Sequence, residues 1–114
     1  MPTRENFPED IRDYLNYITE CIKNTIPVSA IYLFGSYAKG NYRENSDLDI
    51  YVVTPDKSIR LLELGVKVNM SFERRIRIPI DVMVGYEEDF FSRSKLINTL
   101  ENEVATKGVN INAL

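Results

Sequence analysis

The chain has 114 residues, 44% of them hydrophobic, which suits a single compact domain over residues 1–114 built around one core. One cysteine and no histidine exclude disulfide frameworks, zinc-finger spacings and any Ser-His or Cys-His catalytic pair, and they suit a reducing, cytoplasmic compartment. Fourteen basic against seventeen acidic side chains give a net charge of -3, which argues against broad neutralisation of nucleic-acid phosphates, and no apolar run reaches the ~18 residues of a membrane span.

In chain order the pattern reads αβ(α)βαβα. Ile11, Tyr14, Leu15, Ile18, Ile22 and Ile26 recur at spacings of three and four, Pro8 suits a first helical turn, and Glu9 and Asp10 suit its dipole, so a helix is expected over about 8–25. Cys21 is expected in its core. VSAIYLF (28–34) and LDIYVV (48–53) are short, rich in β-branched and aromatic residues and flanked by turn residues, as expected of adjacent strands buried on both faces. A helix over about 57–72 follows, with Glu63 and Lys67 spaced to pair on its solvent side. IPIDVMV (78–84) reads as a third buried strand, with Pro79 near its start or on an edge. YEEDFFSRSKLINTLENEVATKG reads as one closing helix, acidic in its first turn and ended by Gly108.

The chemistry concentrates between the first two strands. Residues two apart on a strand face the same way, ~7 Å apart, so Asp47 and Asp49 project together at the start of strand two. Two such carboxylates repel unless a cation lies between them, and hard oxygen ligands suit Mg²⁺. Asp81, between Ile80 and Val82, costs several kcal/mol if buried as an unpaired charge. Beside strand two it would complete a triad of acids able to hold two Mg²⁺ ions about 4 Å apart. Gly35 and Ser36 add a turn whose backbone N–H groups and hydroxyl can approach phosphate oxygens.

These residues carry a resemblance. GSYAKGNYRENSDLD, a Gly-Ser pair followed after ten residues by Asp-x-Asp, resembles the signature of the DNA polymerase β-type nucleotidyltransferase superfamily, and the third acid in IDVMV matches as well. The size is similar to that of the minimal, stand-alone MNT-type members, among them the antitoxin half of HEPN/MNT pairs. The resemblance implies an α/β (α+β) fold, a small mixed sheet of three or more strands flanked by helices as in the polymerase β palm. It implies that Asp47 and Asp49 bridge both Mg²⁺ ions, that Asp81 holds the ion at the acceptor hydroxyl, and that Gly35 and Ser36 hold the β and γ phosphates of a nucleoside triphosphate. The implied reaction is in-line attack of an acceptor oxygen on the α-phosphorus with loss of pyrophosphate. ATP is the implied donor, and a helical HEPN-type protein, silenced by adenylylation, the implied acceptor. Larger relatives carry a helical domain for base and acceptor, so the acceptor site is expected from elsewhere.

Other residues are open to two readings. Lys39 is placed with the nucleotide-binding residues, although Lys39 and Arg43 read first as solvated loop cations and only secondarily as phosphate contacts. Arg74, Arg75 and Arg77 read as a solvated basic rim, Tyr14 and Tyr17 as packing, and Tyr51, on the face of Asp49, as a stacking surface for a base. Phe90, Phe91, Leu96, Ile97, Leu100 and Val104 exceed what one helix stripe needs, and read either as a partner face or as a broad core stripe. A nucleotidyltransferase acting on a small hydroxyl compound, and a catalytically idle partner-binding module, are the alternatives to a protein-modifying enzyme.

Overall fold

The structure, a computed structural model, describes residues 7–72 and 77–112. Arg74 and Arg75 of the basic cluster lie outside that range; Arg77 is exposed.

Helix α1 (Glu9–Thr25) forms as its periodicity predicts. Glu9 and Asp10 lie at its positive end, Ile26 N–H closes it on the Ile22 carbonyl, and Pro27 stops it. Leu15, Ile18 and Ile22 are fully buried, each such side chain contributing about 1.5–3 kcal/mol of transfer free energy. Cys21 is only half-buried. Strands β1 (Ala30–Phe34) and β2 (Leu48–Thr54) pair antiparallel, with the short helix α2 (Ser36–Lys39) between them. Helix α3 (Leu61–Ser71) then crosses over to β3 (Ile80–Tyr86), which pairs with β2 in parallel. Helices α4 (Glu87–Ser94) and α5 (Leu100–Lys107) follow, and β4 (Val109–Asn110) returns antiparallel to β1. The mixed sheet is ordered β3-β2-β1-β4.

Side-chain alternation gives the sheet two differently covered faces. Ile31, Leu33, Leu48, Ile50 and Val52 pack into the main core with α1 and with Leu64 and Val68 of α3. Tyr51 and Val53 face the other way, against Phe90 of α4 and Val104 of α5, with Tyr32 and Phe34 beside them. Asp49 shares this second face by alternation.

Three expectations are corrected. The α3 helix starts at Leu61 rather than near Lys57, because the Asp56 carboxylate accepts from Ser58 N–H at 2.9 Å, an Asx turn that competes with helix, and Arg60 is extended. The closing helix is two helices. Asn98 takes a left-handed conformation with φ 70°, and Thr99 caps α5 by accepting from Asn102 N–H at 3.0 Å. Strand β3 is an edge strand and not buried: Ile80, Val82, Val84 and Tyr86 are half-buried against the main core, whereas Asp81 and Met83 are exposed. Its α3 side is covered along the strand and its other side only at Gly85, which is buried beside Tyr51; Pro79 stands just before it, where its carbonyl accepts from Leu48 N–H at 2.9 Å.

Candidate active site

The ten residues between Ser36 and Asp47 fold into a closed excursion. Gly35, with φ 75° and ψ −150°, turns the chain out of β1, and Gly40, with φ 79°, ends the single turn of α2. Tyr37 is buried, its phenol raised in pKa by burial and then by the nearby Tyr42 and Asp10, and its ring stacks on Tyr42 with centroids 4.3 Å apart. Arg43 N–H donates to the Ser46 hydroxyl at 2.7 Å, and Ser46 N–H donates to the Arg43 carbonyl at 3.0 Å. That turn brings the chain back beside its starting point, with Asp47 just ahead of β2.

Strand register aligns the sequence-predicted residues across one end of the sheet. Phe34, the last residue of β1, is opposite Asp49, and Asp49 is opposite Asp81. Asp49 and Asp81 therefore share the face that α4 and α5 cover in part. Gly35, one step beyond Phe34, approaches the Asp49 side chain so closely that a Cβ there would lie 2.3 Å from Asp49 Oδ2. Asp47 is exposed, Leu48 is fully buried and Asp49 is half-buried.

The electrostatics fit a cation site. The Asp49 carboxyl is pushed above the ordinary aspartate range, by burial first and then by the charges of Asp81, Asp47 and Glu103. Three carboxylates thus bear on a half-buried fourth, and a divalent ion with hard oxygen ligands answers that surplus charge. Among the described residues no group of three or more acid, cysteine or histidine side chains is placed to hold a metal ion. Asp81 is exposed, so the argument from a buried lone charge falls, and what brings it to the site is its register with Asp49. Ser36 opens α2 half-buried beside Gly35. Lys39 is exposed and held by Glu103, its Nζ 2.9 Å from Oε1.

Glu103 is the residue that sequence reasoning missed. It reaches the site only because the break at Asn98–Thr99 turns α5 back over the sheet, and nothing in its local sequence announces that. Tyr51 is also placed differently from expectation. It is buried, packs edge-on to Phe90 with centroids 5.4 Å apart, and donates its hydroxyl to Glu101 Oε2 at 2.9 Å, so no face is left open for a base. Burial, followed by that hydrogen bond, drives its pKa far above the usual tyrosine value. Arg93 Nε braces Glu101 from the other side at 2.8 Å.

The family model for polymerase beta nucleotidyltransferases matches residues 16–112, a span containing the Gly-Ser turn, both motif aspartates and Asp81. This chain belongs to the polymerase β nucleotidyltransferase family. It is a nucleotidyltransferase of the minimal type, and its four-stranded sheet flanked by helices is that family's fold. A candidate protein adenylyltransferase of Methanocaldococcus jannaschii is 33% identical over 92 residues, 70% of this chain and 91% of the relative. The protein adenylyltransferase MntA of Shewanella oneidensis is 45% identical over 61 residues, 51% of this chain and 44% of that protein. Among solved structures, a toxin-antitoxin crystal structure with AMP-PNP contains a chain that matches with a TM-score of 0.56 at 28% identity, over 85% of this chain and 71% of that one. Among the described residues no helix is long and apolar enough to cross a membrane.

Proposed function

We propose that this nucleotidyltransferase, acting as a single domain over residues 1–114, moves AMP from Mg-ATP to a hydroxyl side chain of a helical, HEPN-type partner protein and so serves as the antitoxin of the pair. The observation that carries the reading is the register of Asp49 with Asp81 across β2 and β3, with Gly35 at the end of β1 close against the Asp49 side chain and Asp49 left in negative surroundings. The relatives' names support adenylyl transfer to protein, and the toxin-antitoxin crystal structure with AMP-PNP supports an adenine nucleotide and a protein partner.

In this reading Asp47, Asp49 and Asp81 hold two Mg²⁺ ions, and Gly35 and Ser36 receive the β and γ phosphates. When bound, the ions supply a lowered pKa at the acceptor hydroxyl and charge stabilisation of the departing pyrophosphate. Gly35 leaves the room that backbone and phosphate need for close approach. Asp81, open on an edge strand, is accessible to an acceptor arriving from outside the sheet. Exposed Phe91, Leu96 and Ile97 near the α4–α5 turn support a protein partner, whereas Phe90, Leu100 and Val104 of the same segment turn inward to the sheet.

Calorimetric titration with ATP tests the site. Binding is expected with Mg²⁺ or Mn²⁺ and absent in excess chelator, because the carboxylates repel bare phosphates. Equal affinity in both conditions removes the metal-dependent reading.

A further inference from the structure

Strand β3 ends the sheet order β3-β2-β1-β4, so one of its edges pairs with β2 and the other with nothing among the described residues. The register fixes which groups that open edge offers. Leu48 N–H donates to the Pro79 carbonyl, and the parallel pairing runs without a bulge from Leu48–Ile80 to Thr54–Tyr86. Backbone groups alternate in direction along a strand, so Pro79, Asp81, Met83 and Gly85 turn theirs to β2, whereas Ile80, Val82 and Val84 present N–H and C=O outward. Open edges are ordinarily blunted by lysine, proline or a bulge, and none of these stands between Ile80 and Tyr86. The flank above the edge is apolar. Helix α3 turns Leu64 and Val68 into the core and leaves Leu62, Val66 and Met70, spaced by four, exposed, Leu62 and Met70 at 79% each. Together with Val82 and Val84 they line a groove of about 610 Å³ along the edge. No charged side chain lines it, and the amide of Asn69, its polar member, donates to the Gly65 carbonyl at 2.8 Å.

We propose that a second copy of this chain docks here, β3 against β3 antiparallel about a two-fold axis at Met83, joining the two sheets into one. A helical protein could fill the groove but would leave the outward N–H and C=O groups unpaired, whereas a strand satisfies both. Their alternation restricts the register, since only Ile80, Val82, Val84 and Tyr86 can form hydrogen-bonded pairs across the axis. An axis at Met83 sets Val82 opposite Val84 and Ile80 opposite Tyr86. Moving it to Val82 loses the Tyr86 pair, and moving it to Asp81 sets two like charges face to face. With the axis at Met83, Asp81 stands opposite Gly85 of the second copy, which adds no side chain over it, so the candidate site stays open. Paired residues share a face, so both α3 helices lie on the same side of the joined sheet. There Gly65, with open space where a Cβ would be, lets the two apolar stripes approach. The edge is about 23 Å long and strand plus helix about 20 Å deep, so two copies bury on the order of 1,000 Å², the lower bound of a specific interface. A dimer that forms in the micromolar range is the consequence.

Sedimentation velocity of the full chain, from about 1 μM to about 500 μM, tests the surface, and the wild type is expected to pass from monomer to dimer over that range. Met83→Lys sets two ammonium groups on the axis, and Val66→Glu charges the exposed helix flank. Each is expected to weaken the dimer at least about tenfold while melting with the dilute wild type. Met83→Cys in a Cys21→Ala background reads the register. In a non-hydrogen-bonded pair on the axis the two Cα atoms lie about 4.5 Å apart, within disulfide reach, so mild oxidant is expected to give a covalent dimer. Phe91→Cys in the same background, exposed on the other face, is expected to cross-link at least about tenfold more slowly. A wild type that stays monomeric throughout, or a dimer that Met83→Lys and Val66→Glu leave intact, overturns the proposal. A dimer weakened by both but not cross-linked through Met83→Cys overturns the axis. A co-purified helical partner released by Val66→Glu, with self-association unchanged, shows the groove to be that partner's and also overturns it. The nucleotide reading stands or falls separately, since its carboxylates lie on the opposite face of the sheet.

Discussion

Gly35→Ala perturbs the candidate site at the point where the backbone meets the Asp49 carboxylate. With φ 75° and ψ −150°, Gly35 occupies a region that is essentially glycine's alone, so an alanine there carries about 1–3 kcal/mol of backbone strain. The new methyl carbon would also stand 2.3 Å from Asp49 Oδ2, 3.2 Å from its Cγ and 3.4 Å from its Cβ, with no backbone obstructing. Asp49 can relieve the clash by rotating away, so the strain appears as lost stability and the rotation as lost metal and nucleotide affinity. The expected outcome is a fall of about 1–3 kcal/mol in urea unfolding at unchanged m-value, together with a loss of about tenfold or more in Mg-ATP affinity by calorimetry. In the Asp49→Ala background the oxygen is gone, so the stability effect of Gly35→Ala shrinks toward the backbone part alone. Wild-type stability and wild-type Mg-ATP affinity in Gly35→Ala would refute the argument that this turn is shaped around Asp49.

Asp49→Asn is expected to remove transfer while stabilising the metal-free chain by up to about 1 kcal/mol after solvent screening, since it deletes a charge that burial and three acids disfavour. The raised pKa means that wild-type stability contributed by Asp49 is present at acid pH and is lost as pH rises through that pKa; thermal melts between about pH 4 and 8 should flatten in the variant. Glu101 has the opposite sign. Burial pushes its pKa up, but hydrogen bonds from Arg93, its own backbone and Tyr51 outweigh this and hold it below the ordinary glutamate value, so its contribution is present at neutral pH and lost as pH falls through the lowered pKa. Glu101→Gln should therefore reduce stability at pH 7 and lessen the acid sensitivity of melting; an unchanged acid limb with unchanged neutral stability would contradict this. Ser36→Ala should weaken Mg-ATP binding by roughly 1–3 kcal/mol, less than either aspartate variant, as calorimetry would report.

Much of the candidate site's placement was legible because its elements are local. The β-branched and aromatic runs that became β1 and β2 are bracketed by Gly35–Ser36 and Asp47, and strand alternation alone puts Asp49 and its neighbours on known faces. Asp81 could be named from its apolar context, but its exposure could not, because whether β3 lies at the centre or the edge depends on the α3 crossover and the order of strands. The reading of a buried charge at Asp81 was thus wrong in mechanism although the register brings it to Asp49. Glu103 was hidden for a related reason. Helical spacing continues through Lys95–Leu100, and only two polar residues, Asn98 in the left-handed conformation and Thr99 as a cap, divide it. Tyr51 was misread because its face was known while the helices covering that face were not: Phe90 and Glu101 close over it from residues about 40 to 50 positions away. Two-residue β4 is too short to leave any periodic signal.

The carboxylates aligned on β2 and β3 are proposed to serve nucleotide transfer to a partner protein. The most direct measurement is intact-mass spectrometry of a helical protein encoded in the neighbouring reading frame, purified as a complex with this chain and incubated with Mg-ATP. One or more discrete AMP increments are expected on the partner with the wild-type chain, and none with Asp47→Asn or Asp49→Asn. A formed complex that gains no mass with any of the four nucleotides, or an aspartate variant that modifies the partner as well as the wild type does, would contradict it.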